Sequence, residues 1–176
     1  MATLETSRLV LRPFDAADAP AVQRELSERA VTLQTLTIPY PYPDGAAAEW
    51  IARHGEWYVA RKQAIWGITE LGRVVGAMGL RLVMDHRRAE VGYWIAKSAW
   101  GRGIATEALR AVLAHAFDVL ALHRVEGQHY LENPASGRVM EKAGMRREGL
   151  LRGYVIKEGV PRDNVLYAIL VDDPRP

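Results

Sequence analysis

The sequence predicts a single α/β domain built on a mixed sheet of about seven strands flanked by about four helices. The chain has 176 residues, enough for one well-packed core and too few for two ordinary domains. Hydrophobic residues make up 49% of it and charged residues 25%, as in average globular proteins. Strand-like and helix-like segments are interleaved, which indicates a sheet with helices on both faces. We therefore treat residues 1–176 as one domain.

The chain begins with a strand and a helix. Arg8–Arg12 is a short apolar segment bounded by polar residues and a proline, a pattern typical of a strand. Asp15 and Asp18 are candidate N-caps for a helix whose apolar positions repeat at helical spacing up to Ser27.

A proline-rich segment follows at residues 31–44. Its alternating prolines exclude a helix and favour an extended, exposed loop. The loop tyrosines could line a substrate entrance or cover the edge of the core. From Ala47 a second helix is predicted, with Asp44 as its cap and one apolar face.

The middle of the chain predicts three consecutive strands. Residues 64–69 and 74–82 flank a glycine turn at 71–73, which indicates a β-hairpin. Residues 90–95 form the next predicted strand, after a polar loop.

The last third continues the alternation. Arg124–Tyr130 predicts a strand, and Asn133 opens a helix that has proline at its first position and Gly144 at its end. Residues 147–156 and 164–171 predict two closing strands. A long helix is also predicted between the strand 90–95 and the strand Arg124–Tyr130. The apolar residues of its buried face are Ala105, Leu109, Val112, Leu113 and Phe117.

Composition excludes several classes of protein. The chain has no cysteine, so a disulfide framework, a thiol nucleophile and a thiolate metal site are excluded. The 23 basic and 21 acidic residues are interspersed rather than clustered, so nucleic acid binding is not expected. No apolar run is long enough to span a bilayer and no leader precedes the first strand, so we expect a cytoplasmic protein without membrane contact. The five histidines lack metal-ligand spacing, and no metal is expected.

A glycine loop, Trp100-Gly101-Arg102-Gly103, lies directly before the long helix. Backbone amides in such a loop, together with the positive end of the helix, can bind a phosphate. The loop lacks the lysine of a P-loop and the third glycine of a dinucleotide fingerprint. A simple turn between a strand and a helix is the structural alternative.

Four ordered motifs resemble the GNAT superfamily of acetyltransferases, and in particular its RimJ/RimL-like branch of ribosomal-protein alanine acetyltransferases. Residues 89–95 with 100–108 resemble the acetyl-coenzyme A motif, although Trp100 stands where many members have Gln or Arg. Residues 133–145 are similar to the N-x-x-S-x-x-v-x-e-k-x-G-f segment. Residues 6–12 and 162–167 match the opening and closing motifs, so the resemblance covers nearly the whole chain.

The resemblance implies a GNAT fold that binds acetyl-CoA as co-substrate. It places the diphosphate on backbone groups of the glycine loop and the start of the helix, and it implies a bulge in the fourth strand that would let Trp94 and Ile95 pair with the pantetheine arm. Asn133 would reach the same arm, although an ordinary helix cap explains it as well. The implied cofactor-binding residues are Trp94, Ile95, Gly101, Arg102, Gly103, Ala105, Thr106 and Asn133.

The implied reaction is acetyl transfer from a thioester to a primary amine, which needs a base for the amine and an acid for the thiolate. Glu90 matches a carboxylate that several members use as the base, and its structural alternative is a surface glutamate. The tyrosine acid of many relatives is replaced by Met140. Ser136 has the corresponding place in this branch, although it could simply cap its own helix.

The resemblance implies that the acceptor is a protein N-terminus or a small-molecule amine. An α-amine of pKa about 7.8 is neutral in roughly a tenth of molecules at pH 7, while lysine near ~10.4 is neutral in well under a thousandth. We expect residues 31–44 and 150–162 to form the acceptor groove. The resemblance allows a homodimer, since dimers are common in the family, but no sequence feature fixes one. The alternative function is an acyl-CoA-binding sensor or interaction module without turnover.

Overall fold

A computed structural model describes residues 1–176. Its centre is one eight-stranded sheet with the order β1-β2-β3-β4-β5-β6-β8-β7, in which only β5 and β6 pair in parallel. The strands are β1 (Leu4–Glu5), β2 (Leu9–Arg12), β3 (Gln63–Glu70), β4 (Arg73–Val83), β5 (Arg88–Ile95), β6 (Arg124–Tyr130), β7 (Arg146–Lys157) and β8 (Val160–Leu170). The helices are α1 (Ala19–Leu26), α2 (Arg29–Thr32), α3 (Ala46–Ala52), α4 (His54–Val59), α5 (Ile104–Asp118) and α6 (Pro134–Lys142).

The mixed α/β prediction is confirmed, with small differences in the number of elements. The additional strand is β1, a two-residue segment paired with β2 that is too short to give a sequence pattern. The predicted second helix is divided into α3 and α4 at Arg53. Three short 3₁₀ turns also precede α1, β5 and the glycine loop.

Two predictions for residues 31–44 were wrong. The segment does not begin as exposed loop, because Val31 and Thr32 end the helix α2 and are almost fully buried. Asp44 does not cap α3. The N-cap is Gly45, which has φ +78, a conformation that glycine adopts without the steric cost that a Cβ brings. The prolines that follow α2 do form irregular chain.

Helices cover both faces of the sheet, as the alternation predicted. The larger apolar cluster, of 27 buried residues, lies between the sheet and the face that carries α5 and α6. The smaller cluster, of 7 buried residues, joins α1, α2 and α3 to the opposite face through Ala77 and Trp94. Burial of these side chains supplies the main driving force for folding. The longest helix, α5, has 15 residues, and no helix combines the length and apolar character needed to cross a membrane.

The sheet opens between β5 and β6. Their parallel pairing runs from Arg88 and Arg124 to Val91 and Gly127 and then stops, although both strands continue for three or four more residues. We call this opening, between residues 92–95 and 128–130, the interstrand gap. The resemblance implied a bulge in the predicted strand 90–95, which is β5 in the structure. The ladder between β5 and β4 contains no bulge, because it pairs residue for residue. Register shifts occur instead between β3 and β4 and between β7 and β8.

Candidate active site

The glycine loop presents a row of free backbone donors. No amide from Gly101 to Thr106 donates a hydrogen bond within the chain, and the first α5 bond at this end is from the amide of Glu107 to the carbonyl of Gly103, at 3.1 Å. The first amides of any helix lack partners within that helix. Here the loop adds further free donors before the first turn. The arrangement suits an anion with several oxygens.

Two glycines give the loop its shape. Gly101 has φ +73 and Gly103, the N-cap of α5, has φ +79. No atom lies within 4 Å of the place where a Cβ would stand on Gly101. The space beside its backbone is therefore open to a ligand, and a side chain there would project into it.

A cluster of polar residues ties this end of α5 to the beginning of the chain. Glu107 accepts hydrogen bonds from the side chains of Thr6 (2.6 Å), Ser7 (3.2 Å) and Arg8 (2.8 and 2.6 Å), and from the Arg8 amide (3.1 Å). Arg8 also donates to the carbonyl of Arg102 at 3.1 Å. The cluster explains why the opening motif belongs with the glycine loop. Glu107 itself was not singled out in the sequence, because its partners lie about a hundred residues away.

The Glu107 cluster predicts a dependence of stability on pH. Burial alone would raise the pKa of Glu107, but the hydrogen bonds from Thr6, Arg8 and Ser7 outweigh it and hold the pKa below its ordinary value of 4.5. Because the folded pKa is depressed, the stabilisation is complete above the unfolded pKa and is lost as the pH falls through the folded one. We expect Glu107→Gln to unfold at lower urea concentration than wild type at pH 7. The difference between them should shrink steadily below about pH 4.5.

Urea unfolding measured at a series of pH values checks this. Glu49→Gln is a suitable control, since Glu49 is an exposed glutamate that forms no salt bridge. A difference between wild type and Glu107→Gln that stays constant into acid would contradict the role assigned to the carboxylate.

The edge of β5 along the interstrand gap offers backbone groups to a ligand. The amide of Ala96 donates to the carbonyl of Val75 on β4, and peptide groups alternate between the two sides of a strand. The peptide groups of Tyr93 and Ile95 therefore face the gap, whereas that of Trp94 faces β4. The prediction that Trp94 offers its peptide to the pantetheine arm does not fit this register. The carbonyl of Ile95 also accepts the indole N–H of Trp100 at 2.8 Å.

Across the gap, a tyrosine on β5 meets a serine on α6. The Tyr93 and Ser136 hydroxyl oxygens are 2.7 Å apart, and Tyr93 lies 3.3 Å from the carbonyl oxygen of Ser136. Burial raises the pKa of Tyr93 to about 12, although its hydrogen bond with Ser136 acts in the opposite direction. The Tyr93 hydroxyl is therefore protonated at neutral pH and can donate a hydrogen bond. Tyr93 cannot be distinguished from a packing residue in the sequence, because a single aromatic residue on a strand carries no signal of its partner.

Asn133 acts as a helix cap in this structure. Its side-chain oxygen accepts the amide of Ser136 at 3.3 Å, which is the structural alternative recognised from the sequence. The side-chain amide nitrogen of Asn133 donates no hydrogen bond within the chain. The residue can therefore hold α6 in place and still donate to a ligand.

Glu90 lies on the other face of the sheet from Tyr93, since the two residues are three positions apart along β5 and successive side chains point to opposite faces. Its carboxylate is 3.5 Å from Arg81 and retains 28% of its side-chain exposure. In register it stands opposite Glu126 of β6, before the interstrand gap begins. No hydrogen bond or salt bridge links Glu90 to Ser136, so the structure does not bring the two predicted catalytic side chains into contact.

A pocket lies beside the N-terminus of α6. It is formed by the chain that follows α2, the end of β6 and the β7–β8 hairpin, and it is lined by Leu33, Tyr130, Glu132, Asn133, Lys157 and Arg162, among others. We call it the acceptor pocket. Both segments expected to form the acceptor groove, 31–44 and 150–162, contribute to it. No cluster of three or more histidine or acidic side chains suited to a metal ion occurs in the structure.

Comparison with known proteins gives one family. The acetyltransferase (GNAT) domain model matches residues 8–146. The chain is 32% identical over 170 residues to YoaA of Bacillus subtilis, an uncharacterized N-acetyltransferase, across 95% of this chain and 96% of that protein. Over 86 residues it is 30% identical to the ribosomal protein uS5-alanine N-acetyltransferase of Escherichia coli, which covers 49% of this chain and 44% of the relative.

Among solved structures, the fold is similar to that of Mycobacterium smegmatis RimJ in complex with CoA-disulfide. The TM-score is 0.85 at 29% sequence identity, and the match covers 96% of this chain and 87% of that one.

Proposed function

Because the chain belongs to the GNAT acetyltransferase family and is an N-acetyltransferase of its RimJ/RimL-like branch, we propose that it transfers an acetyl group from acetyl-CoA to a primary amine. The observation that carries the proposal is the row of free amides from Gly101 to Thr106, which lies directly beyond the open end of β5. Acetyl-CoA supplies an activated acetyl thioester.

The residues present fit acetyl-CoA. The amides of Gly101, Arg102, Gly103, Ala105 and Thr106 would bind the diphosphate, because they are the donors that α5 leaves without partners. The Arg102 side chain is held by Glu70 at 2.8 Å, so we assign only its backbone to the ligand. The gap-facing peptide groups of Tyr93 and Ile95 would pair with the amides of the pantetheine arm as an added strand does.

Two hydroxyls would serve as the acid. Ser136 would deliver its proton to the departing thiolate while Tyr93 passes its own proton to the Ser136 oxygen, and solvent would then return a proton to Tyr93 and take the amine proton from the base. The distance of 2.7 Å between their oxygens supports a shared role. Asn133 would keep Ser136 in position by capping the helix, and its amide nitrogen would bind the arm.

Glu90 is the proposed base for the amine. It lies on the face of the sheet opposite Tyr93. The base would therefore act on the amine from one face, and the acid would act on the departing thiolate from the other. Arg81 holds its carboxylate only loosely, at 3.5 Å. A water molecule would be needed if the amine does not reach it directly.

The proposed acceptor is the α-amine of a protein N-terminus or a small-molecule amine. An α-amine demands less of the base than lysine does, by about 3.5 kcal/mol of deprotonation at pH 7. The relative that acts on the alanine terminus of a ribosomal protein supports a peptide acceptor. The acceptor pocket, which adjoins Asn133 and the start of α6, is the proposed site for it.

The proposal is tested by incubating the protein with acetyl-CoA and a library of peptides and small amines. We expect release of free coenzyme A thiol and a mass increase of one acetyl group on a subset of acceptors. A peptide with a free N-terminus should be modified there, while the same peptide with a blocked N-terminus and a lysine should react far more slowly. Calorimetry that detects no affinity for coenzyme A or acetyl-CoA in folded protein would overturn the proposal.

A further inference from the structure

Lys157, at the end of β7, is a buried cation without a counter-ion. Only 9% of the residue is exposed, and its ammonium donates a hydrogen bond to the carbonyl of Ile38. An ammonium has three N–H donors, so two remain after this bond. No carboxylate lies within salt-bridge distance of it, although the chain forms salt bridges at twelve other places.

The carboxylates nearest to Lys157 along the chain and in its pocket have arginine partners. Glu158 pairs with Arg29 at 3.7 Å and Glu132 pairs with Arg162 at 3.2 Å. Burial lowers the pKa of Lys157, and the charge of Glu158 opposes that effect. Removing an ammonium from water is costly unless a partner of opposite charge compensates it. The chain itself does not provide that partner.

The ammonium belongs to the acceptor pocket. Lys157 lines it together with Arg162, Glu132 and Asn133. These side chains carry two positive charges and one negative charge, so the pocket has a surplus of one positive charge. Asn133 connects the pocket to Ser136 through its cap hydrogen bond. A group bound at Lys157 is therefore close to the helix end that carries the proposed acid.

We propose that Lys157 binds a carboxylate of the amine acceptor, and thereby selects acceptors that carry one negative charge near the reacting amine. This inference rests on the proposed function and specifies its substrate class. One surplus charge matches a single carboxylate, and a pocket with this surplus disfavours polyamines. The carboxylate can be the α-carboxylate of a free amino acid or an acidic side chain near the N-terminus of a peptide.

The experiment compares matched acceptors in wild type and Lys157→Met, which removes the charge but keeps an unbranched apolar stem. One pair is alanine and alaninamide. The other is the peptide amides Ala-Glu-Ala and Ala-Gln-Ala. For each pair the measured quantity is the ratio of kcat/KM for the carboxylate acceptor to that for the amide acceptor. Dividing the wild-type ratio by the variant ratio cancels differences in amine pKa between the two acceptors.

For Lys157→Met we expect this quotient to lie between about 10 and about 100 for at least one pair. This is the range typical of a hydrogen bond to a charged group. The pair that responds identifies the source of the carboxylate. Lys62→Met is the matched control, because Lys62 is exposed and lies outside the acceptor pocket. Its quotient should stay near one. If Lys157 only holds Ile38 in place, Lys157→Met should reduce kcat/KM equally for both acceptors of a pair. The quotient would then stay near one for Lys157→Met as well, and that result would overturn the inference.

A second measurement separates this inference from the proposed function. If wild type acetylates neither member of any pair and no acceptor of the peptide and amine library, the proposed function fails. Binding of N-acetylalanine and N-acetylalaninamide, measured by calorimetry in the presence of coenzyme A, then decides the role of Lys157. Wild type should prefer the carboxylate ligand and Lys157→Met should not. Equal affinities in wild type would overturn the inference even where acetyl transfer occurs.

Discussion

Replacement of Ser136 by alanine is expected to lower kcat about a hundredfold or more, the usual contribution of a positioned general acid, while the KM for acetyl-CoA stays nearly unchanged. The variant loses the hydroxyl that lies 2.7 Å from Tyr93. It keeps the Ser136 amide, which Asn133 caps, so α6 should begin where it does now. Steady-state kinetics with a reacting amine, together with calorimetry of coenzyme A binding, measures both quantities.

Tyr93→Phe completes the test of the acid. This variant keeps the Ser136 hydroxyl but removes the hydroxyl that lies 2.7 Å from it, so we expect a smaller loss in kcat than for Ser136→Ala. If the two hydroxyls act as one unit, the double variant should be scarcely slower than Ser136→Ala. Unchanged turnover in Ser136→Ala with intact coenzyme binding would show that Ser136 is not the acid. A larger loss in Tyr93→Phe than in Ser136→Ala would transfer that role to the tyrosine.

Replacement of Gly101 by alanine is expected to raise the Kd for acetyl-CoA about tenfold or more, because a methyl group would occupy the space where the diphosphate approaches the backbone. Gly101 has φ +73 and no neighbour within 4 Å of the Cβ position. The substitution therefore also costs about 1–2 kcal/mol of backbone strain. Binding is measured by calorimetry and stability by urea unfolding.

Gly159 provides a matched control for the strain. It lies in the β7–β8 turn, which β6 separates from β5 in the sheet, with φ +76 and likewise no neighbour within 4 Å of its Cβ position. Gly159→Ala should lose about as much stability as Gly101→Ala and bind acetyl-CoA like wild type. Equal affinity for acetyl-CoA in the two variants would mean that the glycine loop does not hold the diphosphate.

Local patterns predicted most of the fold. The β3–β4 hairpin, the strand Arg124–Tyr130 and the helix that opens at Asn133 were predicted at or close to their observed limits, because their turn and cap residues lie within the segments themselves. The predictions were wrong where contacts between distant segments determine the local structure. Val31 is buried against the smaller apolar cluster, so a segment followed by prolines still forms a helical turn.

The same distinction applies to the residues of the candidate site. The glycine loop could be predicted because a helix N-terminus and the residues that shape its loop are adjacent in sequence. The sequence also marked Ser136, from its position in a motif, but not the tyrosine that contacts it. Lys157 gave no signal, since one lysine near the end of a strand is ordinarily exposed.

The sequence alone therefore determined most of the strands and helices and the glycine loop, which depend on residues close to each other along the chain, and four ordered motifs determined the family resemblance. Only the tertiary structure decided that Tyr93 meets Ser136 across 43 residues of chain, that β5 and β6 separate after Val91 and Gly127, and that Lys157 is buried against Ile38. These features arise from contacts between distant segments. Their energies depend on how the whole sheet packs, and no local pattern records that packing.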